Sequence, residues 1–216
     1  MKFLNDKDIN QLDGRFRAHF INSLSGIKSA NLIATKSENG ISNVAIFSSV
    51  IHLGSHPPLL GFILRPTTVK RNTYDNIKQT GYFTVNHIHE DIIKDAHHTS
   101  AKYGGEISEF DKTGLTESYQ EHFYAPYVKQ AQIQIGCSFQ NSYFIDENEC
   151  YMIIGKIEQV FYPKAIQSQE GWLNLEKAKT VGVNGLDAYA KVSILDRFQY
   201  AKPNINTSSM YEDEEI

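Results

Sequence analysis

Two long segments of strand-forming residues follow one another in the second half of the chain, and they limit the fold more than any other feature. Residues 132–146 (QIQIGCSFQNSYFID) and 149–163 (ECYMIIGKIEQVFYP) are rich in Ile, Tyr, Phe and Val, with polar, turn-forming residues between them. Segments of this composition joined by a short turn predict a β-hairpin. A long hairpin needs further strands to bury its apolar face, so the sequence predicts a sheet or a barrel.

Shorter strands upstream of that hairpin supply the rest of the predicted sheet. Residues 29–48 (SANLIATKSENGISNVAIFS) contain two strands joined at Asn39-Gly40, because Asn-Gly favours tight hairpin turns. This pairing brings Thr35 close to Asn43. The other strand segments are residues 59–65 (LLGFILR), an uninterrupted apolar run typical of a strand buried on both faces, and residues 82–88 (YFTVNHI).

Two stretches have the three- to four-residue apolar spacing of amphipathic helices. Residues 5–24 predict one N-terminal helix. Its apolar residues are Ile9, Leu12, Phe16 and Phe20. A second helix is predicted from about Val69 to Thr80. Thr67 and Thr68 are its expected N-terminal caps, and Gly81 is its expected stop.

Length and charge limit the domain organisation and the classes of partner. A chain of 216 residues with 41% hydrophobic residues predicts a single domain over residues 1–203, with an acidic, disordered tail over residues 204–216. The formal net charge of −4 argues against nucleic acid and anionic membrane as partners. The sequence has no signal peptide and no apolar run long enough to span a bilayer, so a cytoplasmic location is expected.

The cysteines and histidines do not have the spacing of a metal or redox site. Cys137 and Cys150 flank the predicted turn of the long hairpin, where a disulfide is conceivable, but a reducing cytosol favours two buried thiols. The histidine pairs His87-x-His89 and His97-His98 lack both the helical spacing of an HExxH site and the cysteines of a zinc ribbon. We therefore expect no metal.

A group of hydroxyl and basic side chains indicates an anion site. Ser48 and Ser49 end a strand, and Arg71 follows at the start of the second predicted helix, next to Lys70. Hydroxyls, backbone N–H groups and an arginine together suit a phosphate, and basic residues at a helix start are disfavoured unless an anion is present. The alternative is that the serines simply end a strand and that the basic residues form a solvated surface.

The sequence contains no motif for nucleophilic catalysis or for nucleotide binding. There is no GxGxxG, no P-loop, no GxSxG and no Cys/His nucleophile pattern. A loop without periodicity at residues 99–110 carries Ser100, Lys102 and Tyr103, and it is long enough to close over a ligand. If the protein is an enzyme, a cofactor is expected to carry its chemistry.

The order of these segments resembles the flavin reductase-like family of FMN-binding split barrels, whose members include flavoredoxin and the reductase components of two-component monooxygenases. The segments that carry the resemblance are SANLIAT, NVAIFSSVIHLGSHPPLLGFILRP, RNTYDNIKQTGYFTVNHI, AHHTSAKY, GLDAY and YAKP. They cover the chain from about residue 20 to residue 203. The resemblance implies a mainly β protein with peripheral helices, built as a split β-barrel that forms a homodimer with FMN near the interface.

The resemblance also implies a role for individual residues. The strand beside the flavin ring, the turn that holds the phosphate, the basic helix start and the variable loop together give the predicted cofactor-binding set. These residues are Thr35, Asn43, Val44, Ala45, Ser48, Ser49, Val50, Arg71, Thr73, Ser100, Lys102 and Tyr103. No catalytic side chain is expected, because FMN carries the redox chemistry.

Two functions are compatible with this resemblance. The first is an NAD(P)H-dependent flavin reductase that passes hydride or electrons to free flavin or to a partner oxygenase, with NADH or NADPH as co-substrate. The second is an electron-transfer flavoprotein similar to flavoredoxin, which exchanges electrons with a redox protein and has no nicotinamide reductase activity. Residue types alone do not distinguish the two.

Overall fold

The computed structural model describes residues 1–211, and strands dominate it, with 36% of residues in strands and 20% in helices. The strands are β1 (Ile27–Ser29), β2 (Asn31–Lys36), β3 (Ser42–Phe47), β4 (Ile51–Ser55), β5 (Pro58–Leu64), β6 (Tyr82–His87), β7 (Glu117–Ser118), β8 (Tyr127–Val128), β9 (Gln134–Ile145), β10 (Cys150–Phe161), β11 (Val181–Asn184) and β12 (Ala188–Lys191). The long predicted hairpin is confirmed as β9 and β10, and the Asn-Gly turn joins β2 to β3 with Gly40 at a φ of +86°.

Seven strands form one antiparallel sheet in the order β3-β2-β6-β9-β10-β5-β4. The sheet curls until its two ends meet. Phe47 of β3 and Phe62 of β5 pack edge to face with ring centroids 5.1 Å apart, although four strands separate β3 from β5 in the sheet. The Ser49 hydroxyl both accepts a hydrogen bond from the Ile63 N–H and donates one to the Ile63 carbonyl, each at 3.1 Å. One side chain thus joins the end of β3 to β5 and closes the barrel.

The barrel interior is a continuous apolar core. Its fully buried members come from β2, β5, β6, β9, β10 and one helix, and they are Ile33, Phe62, Leu64, Phe83, Val85, Cys137, Ile153 and Ile77. Burial of each large apolar side chain contributes about 1.5–3 kcal/mol. The outer face of β2 and β3 is covered by the chain between residues 88 and 131 and by β11, around Leu32, Ala34 and Val44.

Close packing inside the barrel requires a glycine on β10. A Cβ atom at Gly155 would overlap the ring of Phe83, with the Cε1 atom only 2.8 Å away, and would lie 3.2 Å from the Cβ of Cys137. The Phe83 ring of β6 therefore fills the space above Gly155 of β10 and leaves no room for a side chain at this position.

The N-terminal region contains two helices where the sequence pattern predicts one. They are α1 (Asp6–Gln11) and α2 (Gly14–Leu24). The apolar spacing continues across the break, but Asp13 starts a new helix because its side chain accepts hydrogen bonds from the Arg15 and Phe16 N–H groups. Neither helix contains a buried residue.

The two remaining helices are α3 (Asn72–Thr80) and α4 (Ile93–His98). Gly81 ends α3 in the left-handed conformation, as expected. Its predicted start is wrong, because Arg71 is the N-cap residue and no side chain caps the helix. Thr67 and Thr68 are exposed and form a turn that precedes the helix, so their hydroxyls are not at its first turn.

Both cysteines are buried free thiols. Cys137 pairs with Ile157 across the hairpin and Cys150 with Ile145, so the two residues do not face each other. Burial raises the pKa of the Cys137 thiol to about 12, which keeps it protonated and unreactive.

The C-terminal segment folds back on itself. The Met210 N–H donates to the Arg197 carbonyl at 2.7 Å, and the Arg197 guanidinium lies 4.0 Å from the centre of the Trp172 ring. Residues 204–211 of the segment predicted to be disordered are thus part of a hydrogen-bonded hairpin, which its polar composition did not indicate. Residues 212–216 of the same predicted tail lie outside the described residues.

Candidate functional site

The candidate site lies along the open edge of β3, the strand at one end of the sheet. Successive backbone N–H groups of a strand point alternately to its two sides. The Val44 N–H donates to the Glu109 carboxylate at 3.1 Å and so points away from β2. By this alternation the Ile46 N–H points to the same open side, and the Ser48 N–H follows directly after the end of β3. Residues 45–50 are partly exposed, so this side of β3 presents hydrogen-bond donors at an accessible surface.

Two acidic side chains from one segment hold the start of β3. Glu109 is 8% exposed and accepts the Val44 N–H, and its neighbour Ser108 shares a hydrogen bond with Ser42 at 3.0 Å. The Ser42 hydroxyl also donates to Glu117 at 2.5 Å. Burial raises the pKa of Glu109, and hydrogen bonds from two backbone N–H groups, its own and that of Val44, oppose this rise. These contacts fix the segment of residues 108–117 to the N-terminal end of β3, where the open edge starts.

Helix α3 is attached to the barrel by two buried hydrogen bonds. The Asn43 amide donates to the Thr73 hydroxyl at 3.1 Å, and the Asn76 amide donates to the Thr35 hydroxyl at 3.0 Å. All four side chains are buried. The structure thus brings Asn43 and Thr73 together, and it uses their polar atoms to position the start of α3 beside β3. Thr35 is fully buried below them.

The two predicted serines at the turn after β3 have different environments. Ser49 uses its hydroxyl to close the barrel through Ile63. Ser48 is partly exposed, and its hydroxyl has no hydrogen-bond partner among residues 1–211. Val50 packs against the barrel core and accepts a hydrogen bond from Ser29 at 3.1 Å through its carbonyl. Ser48 is the free hydroxyl at this turn.

The neighbouring β3 residues differ in what they offer a ligand. The Val44 side chain is fully buried in the outer core and its N–H is held by Glu109, which leaves no free donor at this position. Ala45 is partly exposed and carries only a methyl group, so a flat ligand meets little steric hindrance there.

The start of α3 is cationic and has no side-chain cap. Arg71 is partly buried, and its Nε atom donates to the Pro66 carbonyl at 3.3 Å, which leaves the terminal nitrogens of the guanidinium without a protein acceptor within residues 1–211. Lys70 is exposed and lies beside the Gly104-Gly105 loop, where a Cβ atom at Gly105 would be 3.2 Å from the lysine Nζ. Uncapped N–H groups and two cations make this helix start a favourable place for an anion.

The loop after α4 carries the remaining predicted residues. Ser100 and Lys102 are exposed, and the Ser100 hydroxyl donates to the His97 carbonyl at 2.7 Å. The Tyr103 hydroxyl and His98 Nε2 are 2.7 Å apart with their rings stacked. The contact of Gly105 with Lys70 brings this loop to the start of α3, and α4 itself lies against β3. The loop therefore borders the same open side.

A polar depression of about 150 Å³ continues from this region between α3 and the β2–β3 turn. Asn43, Lys70, Asn72 and Asn76 line it together with Gly105. The described residues contain no group of three or more His, Cys, Asp or Glu side chains arranged to hold a metal ion. Within residues 1–211, no helix is both long and apolar enough to cross a membrane.

The sequence patterns missed Glu109. It lies in a stretch without periodicity that predicts only a loop. A local signal exists, because Ser108 followed by the acidic residues Glu109 and Asp111 is typical of a helix start, and residues 109–112 do form a short 3-10 helix with Ser108 as its cap. That signal predicts the turn but not the contact with a strand 65 residues earlier in the chain.

Comparison with known proteins identifies the family. The profile of the Flavin reductase like domain matches residues 25–174. The structure of a candidate flavin reductase with a split barrel domain from Shewanella frigidimarina NCIMB 400 is 42% identical, with a TM-score of 0.90 over 93% of this chain and 100% of that chain.

Two more distant structures share the fold. Nitrilotriacetate monooxygenase component B from Bacillus cereus is 19% identical, with a TM-score of 0.80 over 91% of this chain and 98% of that chain. Flavoredoxin of Desulfovibrio vulgaris (Miyazaki F) is 21% identical, with a TM-score of 0.68 over 83% and 92%. The split-barrel fold expected from the sequence is thus confirmed, and the chain belongs to the flavin reductase-like domain family.

Proposed function

We propose that the protein binds FMN along the open edge of β3 and acts as an NAD(P)H-dependent flavin reductase. The observation that carries this proposal is the juxtaposition of free strand N–H groups and an uncapped, cationic helix start, which the Asn43–Thr73 hydrogen bond holds together at 3.1 Å. A flavin nucleotide has a flat ring with hydrogen-bond acceptors on one edge and a phosphate at the end of a short chain. Both kinds of partner are present at this site.

The residues that would hold FMN divide into two groups. The N–H groups of Ile46 and Ser48 are suited to acceptors on the ring, and the small side chain of Ala45 lets the ring approach the strand. Arg71, the first N–H groups of α3 and the Ser48 hydroxyl are suited to the phosphate, and Lys102 and Tyr103 lie on the loop that Gly105 brings next to Lys70. When bound, FMN supplies hydride and electron transfer, so the protein needs to bind, orient and shield the ring without a nucleophile of its own.

The reaction partner is proposed from the family and from named relatives. The Bacillus cereus relative is a monooxygenase component, which supports a flavin reductase that serves an oxygenase. The Desulfovibrio relative is a flavoredoxin, which supports the alternative of an electron carrier. We favour the reductase because the open side of β3 borders solvent, where a nicotinamide can stack on the ring without a dinucleotide-binding motif.

We also propose that the protein is a homodimer. Helix α2 buries none of its residues, and Phe16 and Leu24 are 55% and 63% exposed. An isolated helix of this length is only marginally stable in water, so a second copy that covers its apolar face would stabilise it.

The test combines FMN titration with anaerobic reduction. Purified protein is titrated with FMN by fluorescence quenching, and the complex is then mixed with NADH or NADPH without oxygen. We expect saturable binding followed by bleaching of the flavin at a catalytic rate. A protein that does not bind FMN would exclude both candidate functions. Binding without bleaching by either nicotinamide would instead identify the carrier.

Arg71→Ala tests the phosphate assignment. Loss of a hydrogen-bonded charge is expected to weaken FMN binding by about 1.5–3 kcal/mol and to leave turnover at saturating FMN largely unchanged. Arg65→Ala is the matched control, because Arg65 is an exposed arginine six residues earlier with no side-chain hydrogen bond among residues 1–211. Equal FMN affinity in the two variants would contradict the role of Arg71.

A further inference from the structure

The carboxylate of Glu109 occupies the position of a missing strand beside β3. In a sheet, the N–H groups on the outer side of an edge strand have no partner, and a buried N–H without one is unfavourable. Val44 is fully buried, and Glu109 provides the acceptor for its N–H at 3.1 Å. The next N–H group on that side, that of Ile46, and the Ser48 N–H just after the end of β3 have no side-chain acceptor within residues 1–211. Glu109 therefore marks where the open edge begins.

The charge of Glu109 is buried and has no cation beside it. Among residues 1–211, no lysine, arginine or histidine nitrogen lies within ion-pair distance of its carboxylate. The groups that donate to the Glu109 carboxylate are the backbone N–H groups of Val44 and of Glu109 itself. The nearby Ser42 hydroxyl bonds instead to the Ser108 hydroxyl and to Glu117. A buried, uncompensated negative charge acts over a longer range than an exposed one, because water screens it less.

This arrangement has a consequence for a flavin bound on the same edge. A flavin ring held by the N–H groups of Ile46 and Ser48 would have the Glu109 carboxylate beside the part of the ring that is nearest to Val44. Reduction adds negative charge to a flavin ring, and a nearby fixed negative charge disfavours that change. The neutral isostere glutamine can still accept the Val44 N–H through its amide oxygen, so the substitution removes the charge and replaces only the second carboxylate oxygen by an NH2 group.

We propose that Glu109 is a positioning residue that fixes the register of FMN on β3 and lowers the reduction potential of the bound flavin. This inference rests on the proposed function, because it assigns to Glu109 a role toward FMN. The negative charge of Glu109 makes the reduced flavin of this protein a stronger reductant than it would be in the same barrel with a neutral group at position 109.

The first experiment measures the contact without FMN. Amide hydrogen exchange followed by NMR is compared for the wild type, Glu109→Gln and Glu109→Ala in FMN-free protein. We expect the Val44 amide to be protected in the wild type and in Glu109→Gln, and to lose most of its protection in Glu109→Ala. Retained protection in Glu109→Ala, with a folded spectrum, would overturn the positioning role whether or not the protein binds FMN.

The second experiment measures the midpoint potential of bound FMN at pH 8 by anaerobic spectroelectrochemistry. We expect Glu109→Gln to shift the potential to a more positive value than in the wild type. Glu117→Gln is the matched control, because Glu117 comes from the same segment and also holds β3, through Ser42, but is partly exposed. We expect its potential to stay at the wild-type value.

The outcomes separate this inference from the proposed function. A wild-type potential in Glu109→Gln, or an equal shift in both variants, would overturn the electrostatic role while FMN binding stands. A wild-type protein that does not bind FMN would overturn the proposed function and with it the role in setting the potential, and the exchange experiment would still decide whether Glu109 holds β3.

Discussion

Ser48 and Ser49 show that two adjacent residues of one type can have different partners. The Ser49 hydroxyl bonds to both polar backbone atoms of Ile63, whereas the Ser48 hydroxyl has no partner within residues 1–211. Their order in the sequence indicates a hydroxyl-rich turn but not which hydroxyl is free. The difference arises from the curvature of the sheet, which brings β5 next to residue 49.

Substitution of each serine by alanine should separate the two roles. Ser49→Ala leaves the Ile63 N–H without an acceptor, and we expect it to lower the free energy of unfolding by about 1–3 kcal/mol. Ser48→Ala should change the unfolding free energy by less than about 0.5 kcal/mol and weaken FMN binding. Urea unfolding and FMN titration of both variants provide the measurements. A stable Ser49→Ala variant with weakened FMN binding would reverse the assignment.

His87 is a second residue whose environment determines its chemistry. It is a partly buried residue of β6, and its Nδ1 atom is inaccessible and has no hydrogen-bond partner among the described residues. Burial lowers the pKa of His87 to about 4. The imidazole is therefore neutral at physiological pH, and its proton affinity is higher in the unfolded chain, where the pKa is about 6.5.

This difference predicts a loss of stability in acid. The unfolded chain binds the proton more tightly than the folded protein does. The contribution of neutral His87 to the free energy of unfolding is therefore complete above pH 6.5 and is lost as the pH falls from 6.5 towards 4. The loss is at most about 1.4 kcal/mol per pH unit. Urea unfolding at several pH values should show this slope in the wild type and a smaller slope in His87→Phe. Identical slopes in the two proteins would contradict the neutral, buried state of His87.

At the scale of elements, α3 depends on buried polar contacts for its place on the barrel. The Asn76 amide and the Thr35 hydroxyl form one of these contacts at 3.0 Å. Thr35→Val keeps the shape of the side chain and removes the acceptor, so we expect a loss of about 1–3 kcal/mol in unfolding free energy. The double variant Thr35→Val/Asn76→Leu should recover part of this loss, because it leaves no unpaired amide. Additive losses in chemical denaturation would contradict a direct coupling.

Local patterns in the sequence predicted six of the seven strands of the large sheet, but they missed the shorter strands outside it and some of the helix boundaries. The β2–β3 turn and the end of α3 were predictable because Gly40 and Gly81 adopt positive φ angles that glycine favours. The break between α1 and α2 was not, because Asp13 interrupts an apolar spacing that continues on both sides. The start of α3 was also wrong, since tertiary contacts such as Asn43–Thr73 position its first turn more strongly than the threonines before it.

The candidate site was predictable only in part, for a similar reason. The residue types at Ser48 and Arg71 indicate anion binding by themselves, and both residues are accessible in the structure. The part played by Glu109 depends on a contact between residues 65 positions apart, and such long-range contacts leave no periodic signal. The site assignments for FMN remain predictions that the titrations above will test.

At the scale of the whole molecule, the exposed face of α2 predicts a dimer interface. We expect Leu24→Asp and Phe16→Asp to shift the protein from dimer towards monomer, since each places a charge on an apolar, exposed position. Light scattering after size-exclusion chromatography measures the mass of each variant. Tyr143→Asp is the control, because Tyr143 is also an exposed apolar residue, at 57%, but belongs to the β9–β10 hairpin. A wild-type mass for both α2 variants would contradict this interface.

The contact between Gly155 and Phe83 has a consequence for how the sequence can evolve. Any side chain at position 155 would collide with the aromatic ring on β6, so the two positions are not free to vary independently. We expect lineages that keep a large aromatic residue at position 83 to retain glycine at position 155. A lineage that acquires alanine or serine there should carry a smaller residue at position 83, as a compensating change inherited with it.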